Sequence, residues 1–396
     1  MVEDYPTIDI VNNVEKYKRV YCSDLFSSIE LIPLETRDES LVTAPHFVRD
    51  RFFLLNDNYI FFRGEHLCVF DHSGKFLHHI GQKGQGPGDY ISVSDIFFDA
   101  DNPTIYVNNL AINLLEYDFS GKFIRSIPIP IIDSLDLNHF SHVGNNLFVG
   151  HLRNSGKSRF SFCLFNENGD TVKCFPNYFF FDRERSFIAN FAEALKPVRI
   201  DKQIFLKNYV NDTIYQLEKL TLKPAYIFGV GKYTFPKEAL EVFGSQAYEK
   251  ALLVEQVTGT PNYFFYAVSI PDFFQRPKVK RLSHPLNPNI TIDERRVLGI
   301  YNIKEKTNVL LDTSEHLEMV GIINDLNGGL SFYPRFYAGN NVVVDIWDVA
   351  DMKEKLTDEY FAKQTIKDPQ AHQKLKELLK TLKDDDNPVV VVAKLK

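Results

Sequence analysis

The segment LCVFDHSGKFLHHI at 67–80 reappears as LLEYDFSGKFIRSI at 114–127, an offset of 47 residues. FCLFNENGDTVKCF at 162–175 continues the series about 48 residues further on. Each copy reads as an apolar strand, a Gly-containing turn and a second strand. Ser73-Gly74, Ser120-Gly121 and Asn168-Gly169 fit tight hairpin turns. A period in the forties with four strands per unit is a propeller signature. A chain of 396 residues holds several such units, and its 44% apolar content is enough to fill their cores.

Strands within each blade are labelled a (inner) to d (outer). Blade 1 spans about 42–80, with b at 59–62, c at HLCVFD and d at KFLHHI. Blade 2 has a at 94–99, b at 104–108, then c and d to 128. Blade 3 has b at 146–152 and ends near 176; blade 4 contains 203–208, 212–217 and 222–228. Blade 5 is irregular, with LLVEQV, 263–269, 297–303 and 308–312; blade 6 has 319–324 and 341–347. SIELIPL (28–34) and PVVVVAKL (388–395) remain over. An open ring would expose two sheet edges. PVVVVAKL is therefore expected as strand c and SIELIPL as strand d of blade 6. The expected fold is an all-β, six-bladed β-propeller forming a single domain over 1–396. Its N- and C-terminal strands close the ring in one blade, and insertions at 229–250, 270–296 and 348–386 sit on one face.

Hairpin pairing across a two-residue Asn168-Gly169 loop sets Cys163 opposite Cys174 in the wider, hydrogen-bonded class. That spacing is near the upper limit for a bridge, which favours two free thiols. The same pairing sets Glu116 opposite Arg125, a favourable cross-strand ion pair.

In an up-and-down blade the b–c and d–a connections lie at one end of the sheet, and the a–b and c–d turns at the other. The long connections 81–92, 177–194, 229–250, 270–296 and 348–386 fall in the first set. Connections of that length are usually functional or disordered. One exception, 325–340, is assigned to the a–b turn of blade 6. Two insertions read as helical. PKEALEVFGSQAYEKA (236–251) has Leu240, Phe243 and Ala247 at helical spacing. Asp368-Pro369 reads as N-cap and first helical residue, followed by a stripe of Leu375, Leu378, Leu379 and Leu382. Such a stripe is expected to pack on the propeller itself.

Asp and Glu outnumber Lys and Arg by 52 to 45, which argues against a nucleic-acid or anionic-membrane binder. No 18-residue apolar run exists, and residues 1–20 carry no signal-peptide core. GQKGQGPGDY lacks the phosphate-loop pattern GxxxxGK[ST], so its glycines read as conformational. Gln85, Asp89 and Tyr90 are candidates to border the central cavity. Arg63, Asn109, Asn208, Asn211 and Asp212 on b–c connections are further candidates, Arg63 also being expected to pair with Glu65. His46, His72, His78, His79, His139 and His142 form no metal set by spacing, so no catalytic residue, metal or cofactor is assigned. RPKVKR (276–281) reads as a solvated loop. Phe179, Phe180, Phe181, Phe273 and Phe274 form either an aromatic platform for sugar rings or anchors for their loops.

IGQKGQGPGDYISVSDIFFDADNPTIYVNN (80–109) resembles the NHL-type repeat. With IELIPLET, VFDHSGKF, NDTIYQL, INDLNGG and NPVVVVAKLK, nearly the whole chain resembles six-bladed β-propeller envelope lipoproteins of Bacteroides-type bacteria. The resemblance implies a secreted or lipid-anchored protein of the periplasm or cell surface and assigns no activity. The expected function is a non-enzymatic binding protein taking a glycan, a peptide or an envelope protein on its long-loop face. The alternatives are a metal-dependent lactonase, hydrolase or lyase acting at the central channel, and a protein-interaction scaffold.

Overall fold

The structure is a computed structural model. It describes residues 5–396 apart from 43–52, 57, 64–65, 100, 134, 155, 183–194, 243–244, 278–281, 285–286, 293–295 and 313–320; the side chains of 282–292 are also undescribed. His46, Glu65 and most of RPKVKR therefore lie outside the described residues. The fold is a six-bladed β-propeller. Six sheets carry the strand order a-b-c-d, each strand antiparallel to its sequence neighbour in the blade. The chain forms two compact units. Met1–Lys16, Gly81–Arg276 and Arg295–Leu310 make the first, with blades 2 to 5. Tyr17–Ile80, Pro277–Glu294 and Leu311–Lys396 make the second, with blades 1 and 6.

Closure is as the leftover strands demand. In blade 6 the strand Val389–Leu395 pairs on one side with Val342–Trp347 and on the other with Phe26–Pro33. Most of its side chains are buried, so both faces of this β-branched strand are covered. Strand a of blade 6 differs from expectation. It is Phe336–Gly339; residues 319–320 lie outside the described residues, and the described part of the expected strand, 321–324, forms only isolated bridges. Ile322 bridges Phe332, and Ile323 takes the Val20 carbonyl while giving its own to Cys22. The apolar run is thus buried by loop pairing, which its sequence cannot distinguish from a strand. The anomalous long a–b turn disappears with it. Asn340-Asn341, both at positive φ, make a tight turn instead, and the long segment becomes a d–a connection like the others.

The repeated hairpins carry three-residue loops rather than two. Asp71, Asp118 and Asn166 each accept from the loop through Oδ1, and Gly74, Gly121 and Gly169 close the loops at φ of 83°, 88° and 81°. A bulge follows each loop, restoring the pairing of Glu116 with Arg125 and of Cys163 with Cys174. The bulge also moves the cysteines into the narrow class. Their Cα atoms are 4.1 Å apart and they form a disulfide, not two thiols. Arg125 Nε donates to Glu116 at 2.6 Å.

Thr7–Asp9 adds a fifth, parallel strand to the outer edge of blade 4, burying Ile8 completely. Between blades, large aromatics fill the space. Phe97, Tyr106, Phe140, Phe148 and Phe165 share one core cluster of blades 2 and 3. Ile32, Ile60, Phe70, Val344 and Val390 share another between blades 6 and 1. The helix Pro369–Thr381 is capped by Asp368, which accepts from the Ala371 amide at 2.9 Å. Leu375 is fully buried and Leu382 nearly so; the stripe packs on its own unit. The segment 236–251 is not one helix. Phe243 lies outside the described residues; the described part of the segment holds the turns Glu238–Glu241 and Ala247–Lys250, with Val242 already extended. Gly244-Ser245 in the middle of the pattern is poor helix-forming sequence.

Candidate functional site

The first unit concentrates its unusual chemistry at the b–c end of blades 3 to 5. Strand b of blade 4, Gln203–Leu206, starts at an exposed Gln203 and then buries Ile204, Phe205 and Leu206, and Lys207 continues this buried run. Lys207 is 4% exposed. Its Nζ donates to the carbonyls of Asn208 at 2.9 Å and Tyr209 at 3.4 Å and stands 5.8 Å from the centre of the Phe228 ring. Burial pushes its pKa down to about 8, against a small opposing pull from the charge of Asp212. Burial pushes Asp212 up to about 6, and Lys207 in turn restrains that shift. Among the described residues, no carboxylate lies within ion-pair distance of Lys207. The result is a desolvated amine and a desolvated acid on one connection, both titrating near neutrality.

Asn208 links this connection to blade 3, donating through Nδ2 to Ser161 Oγ at 3.1 Å. Its Oδ1 is buried and accepts no hydrogen bond among the described residues. Asn177, 4% exposed, donates to the carbonyls of Ser158 and Phe179 and fixes the start of the 177–182 segment. The aromatic run then alternates. Phe179 and Phe181 turn inward onto Phe235, Leu240 and Leu253, joined by Tyr209 and Tyr248, whereas Tyr178 and Phe180 stay exposed. Phe179 and Phe181 thus anchor their loop to the core, whereas Phe180 is exposed. Beside that core lies a small open recess of about 40 Å³, walled by Tyr248, Glu249, Leu253, Glu255, Ser269, Ile270 and Pro271. Glu255 is held by Arg296 Nε at 2.7 Å and by the Ser269 hydroxyl.

Of the sequence-derived candidates, Asn208, Asn211 and Asp212 come together around Lys207. Asn211 donates to the Tyr215 hydroxyl at 3.2 Å and accepts from the Thr213 amide at 2.9 Å. Gln85, Asp89, Tyr90 and Asn109 form a separate group in blade 2. Gln85 is exposed, whereas Tyr90 is a core residue. Asp89 accepts from the Gly86 amide at 2.8 Å, and a Cβ at Gly84 would strike its carboxylate at 2.3 Å. Gly88, at φ 80° against the Phe123 ring, is equally irreplaceable, so these glycines serve the turn. Asn109 accepts from the Ile91 amide at 2.8 Å and donates to Asn113 at 3.0 Å. Arg63 ends strand b of blade 1, half-buried, in the other unit. Lys207, Tyr248 and Glu255 escape sequence reading; the sole signal for Lys207 is a lysine extending a buried apolar run.

Among the described residues, one group could present metal ligands. Asp99, Asp101 and His142 bring their ligand atoms within 4.8 Å of one another at the opposite, a–b end of blades 2 and 3. Asp99 is already occupied. It accepts from the amides of Asp101 (2.6 Å) and Asn102 (2.8 Å) and from the Tyr106 hydroxyl (2.7 Å), with His142 Nδ1 at 3.3 Å. Burial works to raise its pKa, but the His142 contact and the other donors outweigh it and hold the carboxyl well below the usual range. Arg199 donates to the His142 carbonyl, tying in blade 4. Chemically this is a latch between blades.

The chain resembles a solved structure described as a "Putative exported protein" from Bacteroides fragilis NCTC 9343, at 18% identity, 99% coverage of both chains and a TM-score of 0.69. A member of the DUF4221 family from Bacteroides vulgatus ATCC 8482 is similar at 11% identity, covering 94% of this chain and 97% of that one, with a TM-score of 0.52. No functionally curated protein matches the chain in sequence. Residues 5–394 match the family described as "Domain of unknown function (DUF4934)", and the chain belongs to it.

Proposed function

We propose that this member of the DUF4934 family is a non-enzymatic binding protein of the cell envelope, taking its ligand at the b–c end of blades 3 to 5. One observation carries the proposal. The connections 177–182 and 229–250, from different blades, share one aromatic core, the rings of 270–276 pack on Tyr233 of the second connection, and a polar-edged recess lies open beside them. Long connections fastened this way are expensive in conformational entropy unless they hold a surface in shape. An extracytoplasmic address is supported by the Cys163–Cys174 disulfide, which persists in oxidising compartments. The B. fragilis protein of the same fold is also described as exported. Attachment by a lipid anchor belongs to the same proposal.

The test is hydrogen exchange on the full chain with panels of oligosaccharides and peptides. Protection is expected in 207–212, 230–253 and 269–276. Protection confined to other segments would overturn the assignment of this end.

A second reading is acid–base catalysis, favoured by Lys207 and Asp212 as a pair titrating near neutrality. Turnover of simple lactones or aryl esters that disappears in Lys207→Met would favour it; turnover unchanged in that variant would dismiss it.

A further inference from the structure

We propose that the recess and the ring cluster next to it form a subsite for a neutral saccharide. The proposal rests on the binding role of this end of the first unit. Tyr233, Phe273 and Phe274 sit as a mutual cluster, with ring centres 5.6, 5.1 and 4.8 Å apart in pairs. Phe273 is nevertheless 59% exposed. The cluster is held in place by its backbone: Leu252 donates to the Tyr233 carbonyl at 2.9 Å and Phe274 to the Pro271 carbonyl at 3.1 Å. It is continuous with the recess, because Ile270 and Pro271 line the recess and lead directly into the rings.

Two chemistries therefore meet along one short path. The rings offer a flat, rigid apolar surface, and the recess offers the Glu249 carboxylate beside the Glu255–Ser269 pair, whose carboxylate and hydroxyl are already bonded to each other and to Arg296. Several of the local charges are paired, and Lys232 lies over the Tyr233 ring with its Nζ 5.4 Å from the ring centre. Lys237 pairs with Glu241 at 3.2 Å, Arg276 with Asp272 at 2.5 Å and Arg296 with Glu255 at 2.7 Å. A charged ligand would find these partners taken. A sugar ring has a C–H face for the aromatic surface and hydroxyls for the carboxylate edge, and it brings no charge of its own. A protein partner would call for a wider apolar core than three rings bordered by ion pairs.

The experiment is a thermal-shift and calorimetric screen of the full chain against neutral hexasaccharides (maltohexaose, cellohexaose, xylohexaose, mannohexaose), oligogalacturonate and a mixed peptide pool. It is repeated on Phe273→Ala and Glu249→Gln. The expected result is a neutral hexasaccharide that raises the melting temperature, with affinity falling at least tenfold in Phe273→Ala and severalfold in Glu249→Gln. Sugar affinity unchanged in Phe273→Ala overturns the proposal. Peptide binding lost in Phe273→Ala, with no sugar bound, overturns it while leaving the binding role of this end intact. Oligogalacturonate bound in preference to all neutral sugars also overturns it. No binding by any probe counts against both proposals.

Discussion

Cys163 and Cys174 stand directly opposite each other on strands c and d of blade 3, Cα atoms 4.1 Å apart, and a disulfide joins them. The bridge closes a loop of sequence separation 11, so its removal releases chain entropy in the unfolded state. The expected cost of Cys174→Ser is about 2–3 kcal/mol. Urea unfolding with and without reductant checks it; the variant should show no further loss on reduction, whereas the native chain should.

Asp99 links pH to stability through the blade 2–3 latch. Its folded pKa is depressed, so its contribution is present above the unfolded value near 4 and is lost as pH falls below it. Asp99→Asn should lower stability at pH 7 by at least about 1 kcal/mol and flatten the acid limb of the stability curve. Denaturant midpoints from pH 7 down to pH 3 decide this. An unchanged acid limb would remove Asp99 from the account.

Lys207 has the opposite consequence. With a folded pKa of about 8 against an ordinary 10.5, the folded chain binds fewer protons than the unfolded chain between those values. Stability from this group therefore rises with pH from about 8 to 10.5. Asp212, raised from 3.8 to about 6, makes stability fall with pH across that lower interval. Lys207→Met should abolish the alkaline rise. A titration of the lysine by NMR with a midpoint above 10 would contradict it.

Leu110 and Ala111 occupy the left-handed region at φ 52° and 58°, closed by the Ile112 amide on the Asn109 carbonyl at 3.0 Å. This geometry suits Asn-Gly and is strained for Leu-Ala. Replacing the pair by Asn-Gly should raise stability by about 1–2 kcal/mol, read from the melting temperature.

Much of the architecture is local and therefore readable. The Gly74, Gly121 and Gly169 hairpins, the alternation around them and the apolar run of Val389–Leu395 each specify their structure from a few neighbouring residues. Even the loop length, misjudged by one residue, left the cross-strand partners of Glu116 and Cys163 correct, because the bulge restored the count. Strand a of blade 6 was not readable, since MVGIIN is apolar enough for a strand, whereas its Ile322 pairs with Phe332 and its Ile323 with the distant segment around Val20.

What the sequence determined by itself is the repeat, and with it the blades and the sealing of the first and last strands in one sheet. Periodicity and turn chemistry act over a few residues and survive any surroundings. What the tertiary structure alone decided is which polar groups became unusual. Lys207, Asp212 and Asn208 are ordinary residues in a loop until Phe228, Ser161 and the buried strands remove water from around them. Desolvation is a property of the whole environment, assembled from segments far apart in the chain, and no local pattern encodes it.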